Sequence, residues 1–317
     1  MLQLTGAFLR LIRWPNLVFI FLTQSLFYVF IQHPPGSHVN DVYTPLLDLR
    51  LFGFLALSSV LIAAAGYIIN DYFDLNIDRV NKPARLVVDK IIKRRWTILW
   101  HWILSGIGLL LSFYVSYKLR NPLVALGNLG CVVLLYFYST TFKRKLLIGN
   151  IIISLLTAWV ILVLYVSEFR FGLLLNEDHA HRLSRLFKFA IVYSSFAFIV
   201  SLVREVVKDI EDMEGDMKYG CRTMPIVWGV NVAKVFAGTW LAVLIGALVI
   251  LQFYVLRKAG IVFILYGLLL IDLPLVWILR KLYTAQSKAD YHLLSNVIKG
   301  VMLGGILSII FVYGAHL

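Results

Sequence analysis

The sequence predicts an all-α, polytopic membrane protein with about nine transmembrane helices, and both its composition and its hydropathy support this fold class. Hydrophobic residues make up 60% of the 317 residues and charged residues 15%, whereas soluble domains have roughly 45–50% and 25%. The mean hydropathy is +0.83. The apolar runs are too long and too uniform for the strands of a membrane barrel, so the spans are expected to be helices. Cys131 and Cys221 lie apart and form neither a disulfide framework nor a zinc motif.

The individual spans follow from runs of about 20 apolar residues joined by short polar segments. The first run comes after a basic start that contains Arg10 and Arg13. No small-residue cleavage site follows it, so we interpret it as an uncleaved helix rather than a signal peptide. The chain is expected to form a single domain, 1–317. The predicted spans are 16–31, 51–70, 98–117, 122–138, 147–167, 189–206, 232–255, 260–280 and 297–315.

The distribution of charge predicts the orientation of these spans. The net charge is +13, but Lys and Arg lie in the loops between spans, where they set topology. If the N-terminus is cytoplasmic, most of the 30 Lys and Arg residues fall on the cytoplasmic side. We therefore predict a multi-pass cell-membrane protein that has no nucleic-acid partner. Its cytoplasmic loops at about 71–97 and 207–231 then carry two acidic segments.

The two acidic segments follow the second and sixth spans and share one pattern. The first reads DYFDLNID at 71–78, and the second reads DIEDMEGD at 209–216. In each segment three aspartates are spaced i, i+3, i+7. On a helix, at about 100° per residue, they fall within roughly 60° and line one face. They are Asp71, Asp74 and Asp78 in the first segment and Asp209, Asp212 and Asp216 in the second.

The repeat extends beyond the aspartates. A proline and an arginine follow each acidic segment, as Pro83 and Arg85 in the first and as Arg222 and Pro225 in the second. This similarity predicts two related four-helix units plus one extra helix. An even number of spans separates the two segments, so both lie on the same side of the membrane. Units that face each other would bring the carboxylates together around a central cavity.

Carboxylates packed this closely repel one another unless a cation neutralises them. A hard cation such as Mg²⁺ takes oxygen ligands and bridges to phosphate, so we expect Mg²⁺ to join the acidic faces to a diphosphate. Asn70 would give a further oxygen ligand. Basic side chains near the aspartates would bind the remaining phosphate oxygens. These are Arg79, Lys82, Arg85, Lys143, Arg204, Lys208 and Arg222.

The expected chemistry is the departure of this diphosphate from a lipid-soluble chain. A metal-bound diphosphate is a good leaving group, and its loss from an allylic prenyl chain leaves a delocalised carbocation. The bilayer is a natural solvent for such a chain. The aromatic faces of Tyr67, Tyr136 and Tyr138 would stabilise the cation. If the organic half is such a prenyl chain, the donor is a polyprenyl diphosphate.

The residues around the aspartates resemble the signatures of the UbiA superfamily of intramembrane prenyltransferases. NDYFDLNIDRVNKPAR at 70–85 resembles the first signature, and REVVKDIEDMEGD at 204–216 resembles the second. YSTTFKRKLLIGN at 138–150 is similar to the segment between them, and IRWPN at 12–16 to the start of the first helix. The resemblance covers most of the chain. It implies nine transmembrane helices around a central cavity that opens to lipid, and Mg²⁺-dependent transfer of a polyprenyl group to a lipophilic acceptor.

The resemblance also implies roles for individual residues. Asn70 and the six aspartates would form the metal and diphosphate site, and Tyr138 would border the reacting carbon. The remaining implied substrate-binding residues are Arg13, Asn16, Arg85, Lys143, Asn150, Lys208 and Arg222. The second signature, with GCRTMP at 220–225, further resembles the branch of the family that makes digeranylgeranylglyceryl phosphate in ether-lipid synthesis. In that branch a geranylgeranyl group is transferred to geranylgeranylglyceryl phosphate.

Two other functions fit part of the pattern. The acceptor is instead an aromatic precursor of quinones in other branches, such as dihydroxynaphthoate or 4-hydroxybenzoate, and ring and glycerol acceptors meet the same carbocation. Carboxylates within membranes also mark ion routes, so a divalent-cation transporter is an alternative of another class. Against transport, the aspartates lie at the ends of the predicted spans rather than midway, and basic residues surround them.

Overall fold

The computed structural model describes residues 2–34, 45–83, 86–170 and 177–312. Within these ranges, nine helices are long and apolar enough to cross a membrane, which confirms the predicted all-α, polytopic fold class. The nine spans are Trp14–Gln32, Leu49–Asn81, Arg94–Leu119, Pro122–Thr140, Ile148–Glu168, Ala180–Glu211, Val230–Tyr254, Ile261–Thr284 and Lys288–Phe311.

Shorter helices complete the bundle. A π-helical turn, Tyr28–Gln32, extends the helix Trp14–Phe27, and a second one, Leu268–Asp272, joins the helices Val230–Gly267 and Leu273–Thr284. The helices, numbered in chain order, are α1 Leu2–Leu11, α2 Trp14–Phe27, α3 Leu49–Asn81, α4 Arg94–Leu119, α5 Pro122–Thr140, α6 Ile148–Glu168, α7 Glu177–Glu211, α8 Met213–Lys218, α9 Met224–Val227, α10 Val230–Gly267, α11 Leu273–Thr284, α12 Lys288–Leu307 and α13 Ile309–Val312.

The helices that carry the acidic segments are longer than the predicted spans. Asp48 caps the start of α3 by accepting a hydrogen bond from the Leu51 amide at 2.7 Å, and no helix breaker interrupts the chain before Pro83. The first acidic segment is therefore part of α3 rather than a loop. The second begins on α7 and, after a break at Asp212, continues on the short helix α8. The three aspartates of the first segment therefore lie on one face of α3, whereas the three of the second segment are divided between α7, the break at Asp212 and α8.

The seventh and eighth spans form an antiparallel pair. Helical backbone continues from Val230 to Gly267, but Gln252 donates to Asp272 at 2.5 Å. Residues 20 positions apart on a straight helix would be about 30 Å apart. The chain therefore reverses direction between the two spans. A second contact, from the Lys234 ammonium to the Ala285 carbonyl at 2.5 Å, joins their opposite ends.

The apolar core differs between the two ends of the bundle. At the end opposite the acidic segments, one buried cluster joins α2 to α7, and it includes Phe27, Leu164 and Leu186. At the acidic end the core divides. One cluster packs α7 against α10, α11 and α12, while another packs α1 against α3 and the segment 86–92. The polar side chains of the acidic segments lie between these two clusters.

Candidate active site

The two acidic segments meet at Asn81, the last residue of α3. Its side-chain amide donates to the Asp212 carbonyl at 2.9 Å, and its side-chain oxygen accepts from the Gly215 amide at 3.0 Å. Gly215 is required for this approach, because a Cβ there would lie 2.5 Å from the Asn81 oxygen. Asn81 therefore fixes the start of α8 against the end of α3, and so one acidic segment against the other.

Three of the aspartates form ion pairs with basic residues from other parts of the chain. Arg13 contacts Asp71 at 2.7 Å, and Lys143 contacts Asp74 at 2.5 Å. Lys82, which directly follows α3, contacts Asp212 of the opposite segment at 2.6 Å. These pairs neutralise part of the negative charge of the two segments. Because the pairs are partly buried, their hydrogen bonds are stronger than those of exposed ion pairs.

The electrostatics show that both acidic segments face the same space. Burial, together with the negative charges of Asp212 and Asp74, raises the pKa of Asp216 to about 7. Burial lowers the pKa of Lys82, but the adjacent Asp212 and Asp78 outweigh this effect, so the pKa is raised overall. Such shifts arise only where charges are close and partly shielded from water.

Asp209 and Tyr138 occupy the deeper part of the site. The Asn150 side-chain amide donates to Asp209 at 2.8 Å. Tyr138 lies near enough to Asp74 and Asp209 for their charges to act on its hydroxyl. A Cβ at Gly149 would lie 3.2 Å from the Tyr138 ring and nearer still to the backbone of Phe142 and Lys143. Because Gly149 has no side chain, the segment that carries Tyr138 can pack on α6.

The donor atoms fit a hard divalent cation. Asp212 has one buried carboxylate oxygen, Oδ1, with no hydrogen-bond partner among the described residues. The Asn70 side-chain oxygen lies 3.4 Å from the Lys143 ammonium, next to Asp74. All of these ligands are oxygens, which is the set that Mg²⁺ prefers. No three acidic, His or Cys side chains within the described ranges already converge on one point, because Lys and Arg hold the aspartates instead.

Some of the predicted substrate-binding residues are not brought into this network. The Arg79 side chain is half exposed. Its guanidinium lies 3.4 Å from the Asp89 carboxylate and does not contact the six aspartates of the acidic segments in the described structure. Arg222 is exposed, and its backbone N–H donates a hydrogen bond to the Arg144 carbonyl at 2.8 Å. Asn16 is half-buried at the start of α2, where its backbone N–H donates a hydrogen bond to the Arg13 carbonyl. Arg85 lies outside the described residues.

Two residues of the site were missed by the sequence analysis. Asn81 lies within the segment 70–85 that resembles the first signature, but its role is not visible in the sequence, because it depends on the packing of α3 against α8. Glu205 does give one, since it lies four residues before Asp209 and continues the second acidic stripe by one helical turn. Its carboxylate contacts Arg204 at 2.8 Å and Lys208 at 3.6 Å.

Known proteins match this chain over most of its length. The model of the UbiA prenyltransferase family matches residues 42–299. A digeranylgeranylglyceryl phosphate synthase of Sulfolobus acidocaldarius is 33% identical over 92% of this chain and 93% of the relative. The synthase of Methanothermobacter thermautotrophicus is 31% identical over 84% and 88% of the two chains.

Solved structures share the fold. A structure from work on digeranylgeranylglyceryl phosphate synthase in membranes superposes on this chain with a TM-score of 0.65 and 24% sequence identity. The match covers 99% of both chains. A UbiA homolog from Archaeoglobus fulgidus, bound to DMAPP and Mg²⁺, has a TM-score of 0.57 and 17% identity over 95% of this chain and 98% of the homolog.

Proposed function

The chain belongs to the UbiA prenyltransferase family, and we propose that it transfers a geranylgeranyl group from its diphosphate to geranylgeranylglyceryl phosphate, in a reaction that depends on Mg²⁺. The observation that carries the proposal is the meeting of two aspartate stripes at Asn81, with three ion pairs between the aspartates and basic side chains. The names of the relatives at about 30% identity support the choice of acceptor.

The aspartates and Asn70 would hold Mg²⁺, which supplies positive charge to stabilise the departing diphosphate. Lys82, Lys143 and Arg13 are then released from their carboxylate partners and bind the phosphate oxygens. This exchange needs little movement, because each cation already lies within 2.7 Å of an aspartate. A diphosphate with its Mg²⁺ would therefore enter a site whose negative charge these three cations neutralise only in part.

The reaction begins when the bond between the first prenyl carbon and the diphosphate oxygen breaks. Tyr138 would border that carbon, and its ring face stabilises the allylic cation. The acceptor hydroxyl oxygen then bonds to this carbon and its proton passes to the released diphosphate, which leaves an ether. The buried apolar cluster at the opposite end of the bundle would keep water out from that side and so protect the cation from hydrolysis.

The prenyl donor is supported by comparison with family members. Structures of the Archaeoglobus fulgidus homolog are described as bound to DMAPP with Mg²⁺ and to GPP with Mg²⁺. These neighbours share less than 25% identity with this chain, so they support the class of donor and not its length. The geranylgeranyl length comes instead from the relatives that are named as digeranylgeranylglyceryl phosphate synthases.

The active site would open to the cytoplasm. The chain is an integral, multi-pass membrane protein. Basic residues gather at the end that carries the aspartates, including Lys90, Lys93, Arg94 and Arg95 on the loop before α4 and its first turn. An excess of Lys and Arg is typical of cytoplasmic loops. Both diphosphate and glycerol phosphate are water-soluble head groups, so this orientation gives them access from the aqueous side.

The proposal is tested by product analysis. Membranes containing the protein are incubated with labelled geranylgeranyl diphosphate, Mg²⁺ and separate acceptors, and the products are identified by mass spectrometry. The acceptors are geranylgeranylglyceryl phosphate, dihydroxynaphthoate and 4-hydroxybenzoate. We expect a product only from the prenylated glycerol phosphate, and none from membranes that contain Asp71→Asn. A prenylated ring, with no ether product, would overturn the proposed acceptor.

A further inference from the structure

Three charged residues on α7 form a compact group beside the candidate site. An Arg204 nitrogen, Nη1, donates to Glu205 at 2.8 Å, and the Lys208 ammonium lies 3.6 Å from the other Glu205 oxygen. Glu205 is 8% exposed. A carboxylate this buried is stable only when it is paired, so the two cations account for its presence in the helix. We call these residues the Arg204–Glu205–Lys208 triad.

The triad lies next to the reacting groups but deeper than the aspartates. Glu205 precedes Asp209 by one helical turn on the same face of α7. It is near enough to Asp209, Arg13 and Tyr138 for their charges to interact. The triad therefore lies one helical turn before Asp209 on α7, on the side towards the centre of the bundle.

The first half of the site has no equivalent of the triad. When Asp71 is aligned with Asp209, the positions of Arg204, Glu205 and Lys208 correspond to Gly66, Tyr67 and Asn70. The aspartates, which both halves share, would hold the diphosphate through Mg²⁺. A charged group found only in the second half is suited to the substrate that is not shared, which is the acceptor.

The triad cations also differ from the other cations in their partners. Arg13, Lys82 and Lys143 each contact an aspartate of the acidic segments, whereas Arg204 and Lys208 contact Glu205. The Arg204 Nε is buried and has no hydrogen-bond partner in the part of the chain that the structure describes. A guanidinium has five N–H donors and an ammonium three. The triad therefore keeps unused donors and a net charge of +1, which suits an anion.

We propose that Glu205 is a positioning residue that holds Arg204 and Lys208 together as a binding site for the phosphate group of the acceptor, and not for the diphosphate to which the sequence pattern assigned them. The proposal rests on the proposed function, since it requires an acceptor that carries a phosphate. A phosphate monoester offers three oxygens to these donors and forms charge-assisted hydrogen bonds with both cations. Glu205 prevents the two cations from repelling each other before the acceptor binds.

The test compares two acceptors that differ only in the phosphate, geranylgeranylglyceryl phosphate and geranylgeranylglycerol. Steady-state kinetics with the purified full chain give KM and kcat for each acceptor and for geranylgeranyl diphosphate. We expect Lys208→Met to raise the KM for the phosphorylated acceptor about tenfold or more, because a charge-assisted hydrogen bond is lost. The KM for geranylgeranyl diphosphate should stay within about twofold. Lys208→Arg should restore most of the affinity, and Glu205→Gln should act in the same direction as Lys208→Met.

Lys218→Met is the matched control, since Lys218 is an exposed lysine on α8 and its loss removes the same charge. We expect this variant to have wild-type kinetics. The inference is wrong if the wild type uses geranylgeranylglyceryl phosphate but Lys208→Met keeps its full preference for the phosphate. It is also wrong if the increase in KM falls on geranylgeranyl diphosphate instead. A wild type that prenylates only ring acceptors would overturn the proposed function itself, and this inference with it.

Discussion

Asn81→Ala tests whether the two halves of the site act together, because Asn81 connects them directly. The substitution removes two hydrogen bonds, to the Asp212 carbonyl and from the Gly215 amide. Each contributes about 0.5–1.5 kcal/mol net, so the pair contributes about 2 kcal/mol. The buried Gly215 amide also loses its partner, which brings the expected loss of stability to about 2–4 kcal/mol.

The same loss should weaken metal binding. If about 2 kcal/mol of the interaction holds the second acidic segment against the first, its removal raises the Mg²⁺ concentration for half-maximal activity by at most about 30-fold. We expect an increase of about 5- to 30-fold. The measurement is prenyl transfer by the purified protein over a range of Mg²⁺ concentrations, combined with thermal unfolding in detergent.

Asn121→Ala is the matched control at the opposite end of the bundle. Asn121 donates to the Val166 and Phe169 carbonyls at 2.6 and 2.9 Å and accepts from the Leu123 amide. Its loss should destabilise the protein about as much as Asn81→Ala, without changing the dependence on Mg²⁺. If both variants lose stability equally and neither changes the half-maximal Mg²⁺ concentration, the two segments do not share a metal site and the reasoning is refuted.

Three other predictions concern the charges of the site. Asp71→Asn and Asp209→Asn should abolish prenyl transfer but leave membrane insertion and yield unchanged, because metal binding needs the charge and the fold does not; full activity in both purified variants would reject the metal role. Lys143→Met should raise the KM for geranylgeranyl diphosphate about 10- to 100-fold through the loss of a charge-assisted hydrogen bond, while Lys145→Met, which changes an exposed lysine nearby, should not; equal effects of the two would contradict the role of Lys143. Chelation of divalent cations should stop the reaction, and added Mg²⁺ or Mn²⁺ should restore it; activity that persists in excess chelator would argue against a metal.

The fold could be predicted from the sequence because a bilayer permits only a few backbone structures to cross it. A run of about 20 apolar residues must form a helix there, so counting the runs gave the nine spans. The helix ends were less accessible. The last span was predicted from residue 297, but α12 begins at Lys288, because Ser287 and Asp290 form a capping box ahead of a polar first turn.

The site residues that follow a regular spacing could be predicted from the sequence, whereas those whose role depends on packing could not. The i, i+3, i+7 pattern predicts three carboxylates on one face of each helix, which is true of α3, but the second set is divided between α7, the break at Asp212 and α8. The role of Asn81 could not be predicted from spacing, since an asparagine after an acidic segment can form many different contacts. The position of Arg79 was equally hidden, because only the fold of the segment after α3 brings Asp89 within 3.4 Å of it.

The most direct test of a shared metal site is a structure of the purified protein with Mg²⁺ and an unreactive analogue of geranylgeranyl diphosphate. The account predicts that the cations lie about 2.0–2.1 Å from carboxylate oxygens of both acidic segments and bridge them to the diphosphate. Lys143 and Lys82 should then contact phosphate oxygens instead of Asp74 and Asp212. Cations bound to only one segment, or a diphosphate bound away from both, would contradict the account.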